Sequence, residues 1–575
     1  MRTRKPSPFR KRLPRFNPSS WRRVGFWLAG ILLTIPPALS QPNPIAQRIR
    51  DAAARGESRV VLPPGEYRIT PEHTDLHLLF ENLSSLEIAA EGVTLVLTDP
   101  SLGGIRFLHC TDVHFHGATI RYETLPFTQG RVTRIESARH PLEPQPEQSP
   151  EQNSYDIEID AGYPDALDDP LRFPPQPTGY VFDPATRLLK RGIPDLHSTN
   201  VERLAPGRFH LSGTNVTEAG LQVGDLVAFR GLGDHNLTLV DSSRMWLEDI
   251  TIESAGIFAF FEIDSDGGNR YSRLRVTREP TPIGATEPPL LSSNADAFHS
   301  TNVRHGPIVE DSAFEFMGDD GIAVHGTFSQ VIGAVGNRLT VSGDRFRPGD
   351  PIRLIDAHGT PAGEAIIQTR IPASEIPDPE LSQATAHEHR ITLELDRPLA
   401  AHPGDLAMNP AASGSGYILR NNTIRFHRAR GMLLKADHGL VEGNEIVGST
   451  IAGILLTPEL QWNEAGFSRH VRITGNFVRE TGGAGDPTGG ILIGAFDLTG
   501  PETCGHRDLR IDHNQLIGIF GAAMLVQSAC QVSVEANRIA ALEQESAGDE
   551  WRAAPELDPD GESAQSPSGH AHEGR

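Results

Sequence analysis

The chain has 575 residues, too many for one ordinary globular core but acceptable for a repeat architecture in which each unit packs only on its neighbours. Its 56 Gly and 45 Pro favour many turns over long helices. The formal charge of −22 argues against nucleic acid, whose phosphates need a basic surface, and a neutral ligand suits it better than an anionic polymer.

Residues 1–40 hold nine Lys or Arg, no Asp or Glu, the apolar run Val24 to Ile35 and a small-residue stretch Ala38-Leu39-Ser40. This is the pattern of a cleaved export signal, and the apolar run is short for a membrane span, which needs about 20 residues. The expectation is therefore an exported protein, periplasmic or secreted, with no stable membrane anchor after cleavage. Without those nine residues, 43 basic groups face 74 acidic ones, a formal charge of −31. Cys504 and Cys530 can pair in an oxidising compartment, and buried free thiols are the competing reading for them and for Cys110.

Ile45, Ile49, Ala52 and Ala53 lie at helical spacing and Gly56 ends the run, so a short helix precedes the strand Arg59 to Ile69. From Leu76 to Tyr122 come short apolar strands at even intervals without helical patterns between them, the texture of a parallel β-solenoid. That texture stops near Pro126, resumes near Asn236, and stops again from about Val331 to Ala412. Both interruptions carry an apolar residue or Pro followed by Gly-Asp and a strand, at Val223-Gly224-Asp225, Pro348-Gly349-Asp350 and Pro403-Gly404-Asp405, which suggests small antiparallel barrels. The resulting division is a signal peptide at 1–40, an N-terminal cap with the first coils at 41–125, and a barrel-like insertion at 126–235. Central coils at 236–330, a second barrel-like insertion at 331–412, C-terminal coils at 413–545 and a disordered acidic tail at 546–575 complete it.

Two columns set the coil register. Asn422, Asn444, Asn476, Asn514 and Asn537 recur at one turn position, where Asn tolerates left-handed backbone and stacked amides form ladders. Asp311 falls near that position and reads as a turn former. Gly256-Ile257, Gly321-Ile322, Gly431-Met432, Gly453-Ile454 and Gly490-Ile491 each open an apolar strand, and Ala297-Phe298 and Ala523-Met524 fit the same slot.

The residues just before this slot are Ala255, Asp296, Asp320, Arg430 and Ala452. Asp296 lies 24 residues before Asp320, one coil, so the two carboxyls are expected to stack about 4.8 Å apart, with Asp319 offset and Arg430 relieving their repulsion. A protonated acid and a carboxylate holding water are the set that inverting glycoside hydrolysis requires. On the same face the register puts His325 and Lys435 in one column and Glu262 and Asp437 in another, followed by Glu459. With His299, these are the candidate substrate-binding groups for an oligosaccharide or polysaccharide. Glu262, Asp264 and Asp266 form an alternative calcium cluster. No zinc motif, phosphate loop or nucleophile elbow occurs, so neither metal nor cofactor is expected.

Asp296-Ala297-Phe298-His299, Asp319-Asp320 at that spacing and Val324-His325-Gly326 resemble the inverting exo-α-1,3-galactosidases of glycoside hydrolase family 110. These are right-handed parallel β-helices of the pectate-lyase-like superfamily, interrupted by two barrels. The resemblance implies removal of a terminal α-linked galactose by Asp296, Asp319 and Asp320. By analogy with polygalacturonases, Asp319 is the acid, with Asp296 and Asp320 holding the water. The Gly that follows the acid pair departs from the family pattern, so the reaction type is better supported than the substrate. An endo-acting hydrolase or a lyase using Arg430, Lys435 or His325 on the same scaffold, and a non-catalytic carbohydrate-binding solenoid, are the competing readings.

Overall fold

The computed structural model describes residues 43–137, 153–212, 220–356, 358–372, 390–485, 487–496 and 504–542. The export signal expected at 1–40 and the acidic tail expected at 546–575 lie outside these residues. Among the described residues no helix is long and apolar enough to cross a membrane.

The body is the expected parallel β-solenoid. One sheet has 20 strands and another 11, all parallel except the two-residue strand Glu464–Ala465, which pairs antiparallel with Gly326 and Thr327. Helix Pro44–Ala54 is capped by the Asn43 side chain, which accepts from Ile45 N at 3.0 Å, and it buries Ile45, Ile49 and Ala52. That face joins Leu62, Leu78 and Phe80 in the core of the first coils.

The slot column holds from Phe298 onward: Phe298, Ile322, Met432, Ile454, Ile491 and Met524 are successive Cα partners. One coil earlier the partner of Phe298 is Phe260, not Ile257. The slot there is Ala259-Phe260, three residues beyond Gly256-Ile257, and Phe258 replaces Ala255 as the neighbour of Asp296.

The Asn column is a side-chain ladder. Asn444 Oδ1 accepts from the backbone N and the side-chain Nδ2 of Asn422, both at 3.0 Å, and Asn476, Asn514 and Asn537 repeat the arrangement on their predecessors. The left-handed residue is the one before each: Asn421, Gly443, Gly475, His513 and Ala536 have φ of 56°, 63°, 66°, 57° and 53°. Asp311, with φ 53°, takes this left-handed position, and the next residue, Ser312, donates its N–H to Asn422 Oδ1 at 3.2 Å.

The two interruptions are antiparallel. The first forms a seven-stranded sheet whose end strands, Leu196–His197 and Asn200–Ala205, are joined by only two residues. Ser198 N bonds to Pro177 O at one edge and Thr199 N to Ser212 O at the other, so the sheet curls on itself without a closing strand ladder. The second, from Ser329–Val335 to Leu406–Met408, is a closed six-stranded barrel. The Gly-Asp signals are one repeated turn. Gly224, Gly349 and Gly404 have φ of 99°, 90° and 98°, and Asp225, Asp350 and Asp405 each accept from a backbone N three residues earlier at 2.8 Å. Cys504 and Cys530 are disulfide-bonded, with Cα atoms 5.3 Å apart, and Cys110 is a buried free thiol.

Candidate active site

Parallel pairing brings Asp296, Asp320 and Arg430 to adjacent coil positions at the entry to strands Phe298–Thr301, Ile322–Thr327 and Arg430–Leu434. Asp320 N donates to Asp296 Oδ1 at 3.3 Å, and Arg430 N donates to Asp320 Oδ1 at 2.8 Å. One oxygen from each of Asp296, Asp319 and Asp320 lies within 4.8 Å of the others. The glycines flanking the pair are required by close approach. A Cβ on Gly318 would meet Asn294 O at 2.6 Å, and one on Gly321 would meet Gly431 O at 2.5 Å.

The three acids are unequal. Asp296 and Asp320 expose 7% and 5% of their side chains, Asp319 28%. Burial, then the charges of Asp319 and Glu464, push the Asp296 carboxyl well above the usual range. Asp320 is also held up by burial, with Asp296 and Asp319 adding to it against the opposing pull of Arg430, whose Nη2 is 3.1 Å from Asp320 Oδ2. Asp319 Oδ1 accepts from Arg428 Nη1 at 2.8 Å, and the same guanidinium reaches Asp195 of the first insertion at 2.9 Å. An acid role for Asp319 requires substrate to displace Arg428 from this carboxyl.

His299, His325 and Lys435 project from the opposite strand face to the core residues Phe298, Val324 and Leu434. His299 Nδ1 is 2.7 Å from Asp296 Oδ2 and its Nε2 is 2.8 Å from His325 Nε2. His299 stacks on Phe258 with ring centroids 4.2 Å apart, and Phe258 in turn stacks on His235 at 4.7 Å. Lys435 Nζ, fully buried, pairs with Glu459 Oε2 at 2.7 Å and with Glu464. Glu459 also accepts from Arg430 Nη2 at 3.1 Å. Glu459 and Glu464 are the feet of a hairpin closed by mutual backbone hydrogen bonds of 3.1 and 3.0 Å, which carries the exposed Trp462.

Two expected substrate-binding residues lie elsewhere. Glu262 pairs with Ser300 in the strand ladder and points into the solenoid, because strand residues alternate faces and the slot begins at Ala259. There it accepts from Ser300 Oγ at 2.6 Å, Tyr271 OH at 2.7 Å and Asn269 Nδ2 at 2.8 Å, and burial pushes its carboxyl up. Asp437 is taken by Arg353 of the barrel at 2.5 Å and by Arg469 N at 2.9 Å, which anchors that insertion. The alternative calcium cluster also separates: Asp264 pairs with Arg345 and Asp266 with Arg347, each at 2.7 Å, while Glu262 faces inward. Sequence reasoning missed Arg428, Asp195, Glu464 and Trp462. Only the hairpin sequence Glu459-Leu-Gln-Trp-Asn-Glu464 offered a local signal, two acids bracketing an aromatic.

Two groups here have donors suited to a cation. The Asp296, Asp319 and Asp320 oxygens suit a hard ion, but Arg428 and Arg430 already supply positive partners. His299, His325 and Glu464 also converge. Their ring nitrogens stand at a hydrogen-bond distance of 2.8 Å, closer than the roughly 3.3 Å implied by two Zn–N bonds at tetrahedral angles, and Lys435 already neutralises Glu464.

No family model matches the chain. It is 30% identical over 296 residues to the alpha-1,3-galactosidase B of Akkermansia muciniphila, covering 48% of this chain and 34% of that protein. It is 27% identical over 325 residues to the alpha-1,3-galactosidase B of Phocaeicola vulgatus, covering 52% and 51%. The alpha-1,3-galactosidase A of Streptomyces avermitilis is 23% identical over 331 residues, covering 55% and 46%. The resemblance inferred from the acid spacing is thereby borne out, over about half of this chain and a third to a half of these relatives. Among solved structures, the mannuronan C-5 epimerase AlgE4 A-module of Azotobacter vinelandii aligns at TM-score 0.33 and 12% identity, covering 86% of this chain and 90% of that one. A tailspike protein of E. coli bacteriophage HK620 in complex with a pentasaccharide aligns at 0.38 and 10%, covering 86% and 57%.

Proposed function

We propose, from the similarity to alpha-1,3-galactosidases, that this chain is a glycoside hydrolase that removes a terminal α-linked galactose with inversion. The observation that supports this most is the convergence of three carboxyls of unequal burial within 4.8 Å, flanked by Arg428 and Arg430. Glycoside hydrolysis needs one carboxyl protonated and another ionised, and mutual repulsion among buried acids maintains that inequality. Asp319, the most exposed, donates to the leaving oxygen once substrate displaces Arg428. Asp296 and Asp320 hold the water. Its oxygen bonds to the anomeric carbon, its proton passes to the carboxylate, and the glycosidic bond breaks. An approach within 4.8 Å, oxygen to oxygen, is tighter than the roughly 6.5–9.5 Å of most inverting pairs, so distance alone does not select inversion.

A lyase would need a free base and a cation for a uronate. Lys435, Arg430 and His325 are instead each engaged with carboxylates or with another imidazole, which favours hydrolysis. Incubation with aryl glycosides and defined α-linked oligosaccharides, with the product anomer followed by proton NMR, tests the reading. Release of β-galactose is expected; retention of configuration, or an unsaturated product absorbing in the ultraviolet, contradicts it. Unchanged turnover in both Asp319→Asn and Asp320→Asn would remove the mechanism. Export belongs to the same proposal and is checked by the N-terminal sequence of the mature chain.

A further inference from the structure

The chain of hydrogen bonds from Gly326 through His325 and His299 to Asp296 allows one order of protons when both rings are neutral. His325 Nδ1 is 2.7 Å from Gly326 O, which only accepts, so Nδ1 carries the proton. His325 Nε2 is then a lone pair. His299 Nε2, 2.8 Å away, must be the donor, with Thr301 Oγ1 able to donate to the same atom from 3.3 Å. A neutral His299 protonated on Nε2 has a lone pair on Nδ1, and that lone pair faces Asp296 Oδ2 at 2.7 Å. The last contact is a hydrogen bond only when Asp296 carries the proton.

We propose that the His299–His325 pair makes Asp296 the proton acceptor of the acid set, by presenting a lone pair to Oδ2 that is satisfied only when this carboxyl is protonated. The proposal rests on the glycosidase reading and deepens it. Asp296 draws the proton from the attacking water and lodges it against His299. Asp319 gives its own proton to the leaving oxygen. The cycle closes when the proton on Asp296 returns to Asp319, whose oxygen lies within 4.8 Å. Between turnovers the proton waits on Asp296 and passes to Asp319 only when the next substrate displaces Arg428. His299 touches the reacting carboxyl, whereas His325 acts only through His299 and is a positioning residue.

Burial leads on both groups. Asp319 and Glu464 further disfavour a negative charge on Asp296 against the pull of Arg430 and the Asp320 N–H, while Lys435 and Arg430 further disfavour a charged His299 imidazole against the pull of Glu464 and Asp319. His235, across Phe258, is itself held down to about 4 by burial and adds no charge to the chain. Burial pushes both His299 and His325 down to about 4, so each is neutral at working pH.

Imidazole nitrogen NMR on the full chain with isotope-labelled histidine, assigned by signals lost in His299→Gln and His325→Gln, reads the tautomers directly. The expected result at neutral pH is a neutral His325 protonated on Nδ1 and a neutral His299 protonated on Nε2. Kinetics give a second readout. In His325→Leu, His299 is free to turn an N–H toward Asp296 and stabilise its carboxylate, so the base weakens. The acidic limb of kcat/KM then moves down by about one pH unit and kcat falls about tenfold. In His325→Gln the side-chain carbonyl accepts the His299 N–H, and the limb stays at its wild-type position. An imidazolium at His299, the opposite tautomer, a divalent metal bound one per chain and lost in His299→Gln, or equal limbs in the Leu and Gln variants would each overturn the proposal. Turnover of α-galactosides by a chain whose His299 is an imidazolium removes the proton assignment and leaves the glycosidase reading. The expected tautomers in a chain that cleaves no glycoside remove that reading, and with it the role of Asp296 as base.

Discussion

Arg430→Met removes the one cation that, among the described residues, touches the stacked acids, while keeping the length of the stem. The Arg430 side chain is 14% exposed and its Nη2 lies 3.1 Å from both Asp320 Oδ2 and Glu459 Oε2. At an effective dielectric of about 20, a unit pair at that distance attracts by about 5 kcal/mol. Cations so placed lower a carboxyl by roughly 1–3 pKa units, about 1.4–4 kcal/mol. In the variant Glu459 keeps Lys435 at 2.7 Å, whereas Asp320 keeps only the backbone N–H of residue 430 at 2.8 Å. Burial and mutual repulsion already hold Asp296 and Asp320 up, and losing the cation raises them further. The base must be ionised to work, so a higher carboxyl pKa moves the acidic limb of kcat/KM to higher pH. The expected shift is about 1–3 units, with a ten- to thousandfold loss of rate on that limb. Initial rates on an aryl α-galactoside across pH measure this, with circular dichroism reporting the fold and Arg430→Lys expected to fall between variant and wild type. A folded variant whose limb stays in place, or moves down, would refute the electrostatic role of Arg430.

Trp462→Ala removes an aromatic surface, 64% exposed, on the hairpin whose feet hold Lys435 and Arg430. Steady-state kinetics on α-linked oligosaccharides should show KM raised about five- to thirtyfold, the worth of about 1–2 kcal/mol, with kcat little changed. Asn444→Ala removes a buried rung that accepts from Asn422 N and Nδ2 and donates to Leu419 O and Asn476 Oδ1, all within 2.9 to 3.0 Å. Chemical denaturation should show a loss of about 3–5 kcal/mol, against about 1–2 kcal/mol for the part-buried terminal rung in Asn537→Ala.

Much of the solenoid was legible because a coil repeats both its apolar slot and its Asn turn, and either column alone fixes which residues stack. The acids followed from that register without further information. Glu262 did not, because the small-apolar slot signal at Gly256-Ile257 competes with Ala259-Phe260 three residues later. A slip of an odd number of residues in a strand exchanges core and cleft faces. The reading thus put Glu262 beside Asp437 in the cleft, whereas its ladder partner is Ser300 and its surroundings are Tyr271 and Asn269. Arg428 and Asp195 were illegible for a different reason. They are 233 residues apart and meet only because the first insertion reaches the C-terminal coils, a contact that no coil periodicity encodes.

The acid set uses the same device as the Asn column, with its chemistry changed. In both, a side-chain oxygen on one coil accepts a backbone N–H from an adjacent coil, as Asn444 Oδ1 does from Asn422 N and Asp320 Oδ1 from Arg430 N. An amide also donates, so the Asn column extends itself from rung to rung at no charge cost. A carboxylate cannot donate, and two of them on successive coils repel. The stack therefore requires a cation at one end and a proton within it. Arg430 occupies the next coil position beyond Asp320, and Asp296, at the other end, meets His299. Phe258 stands at the next coil position beyond Asp296, and the His299–His325 pair, on the coils of Asp296 and Asp320 themselves, allows a stack of like charges to persist with one member neutral.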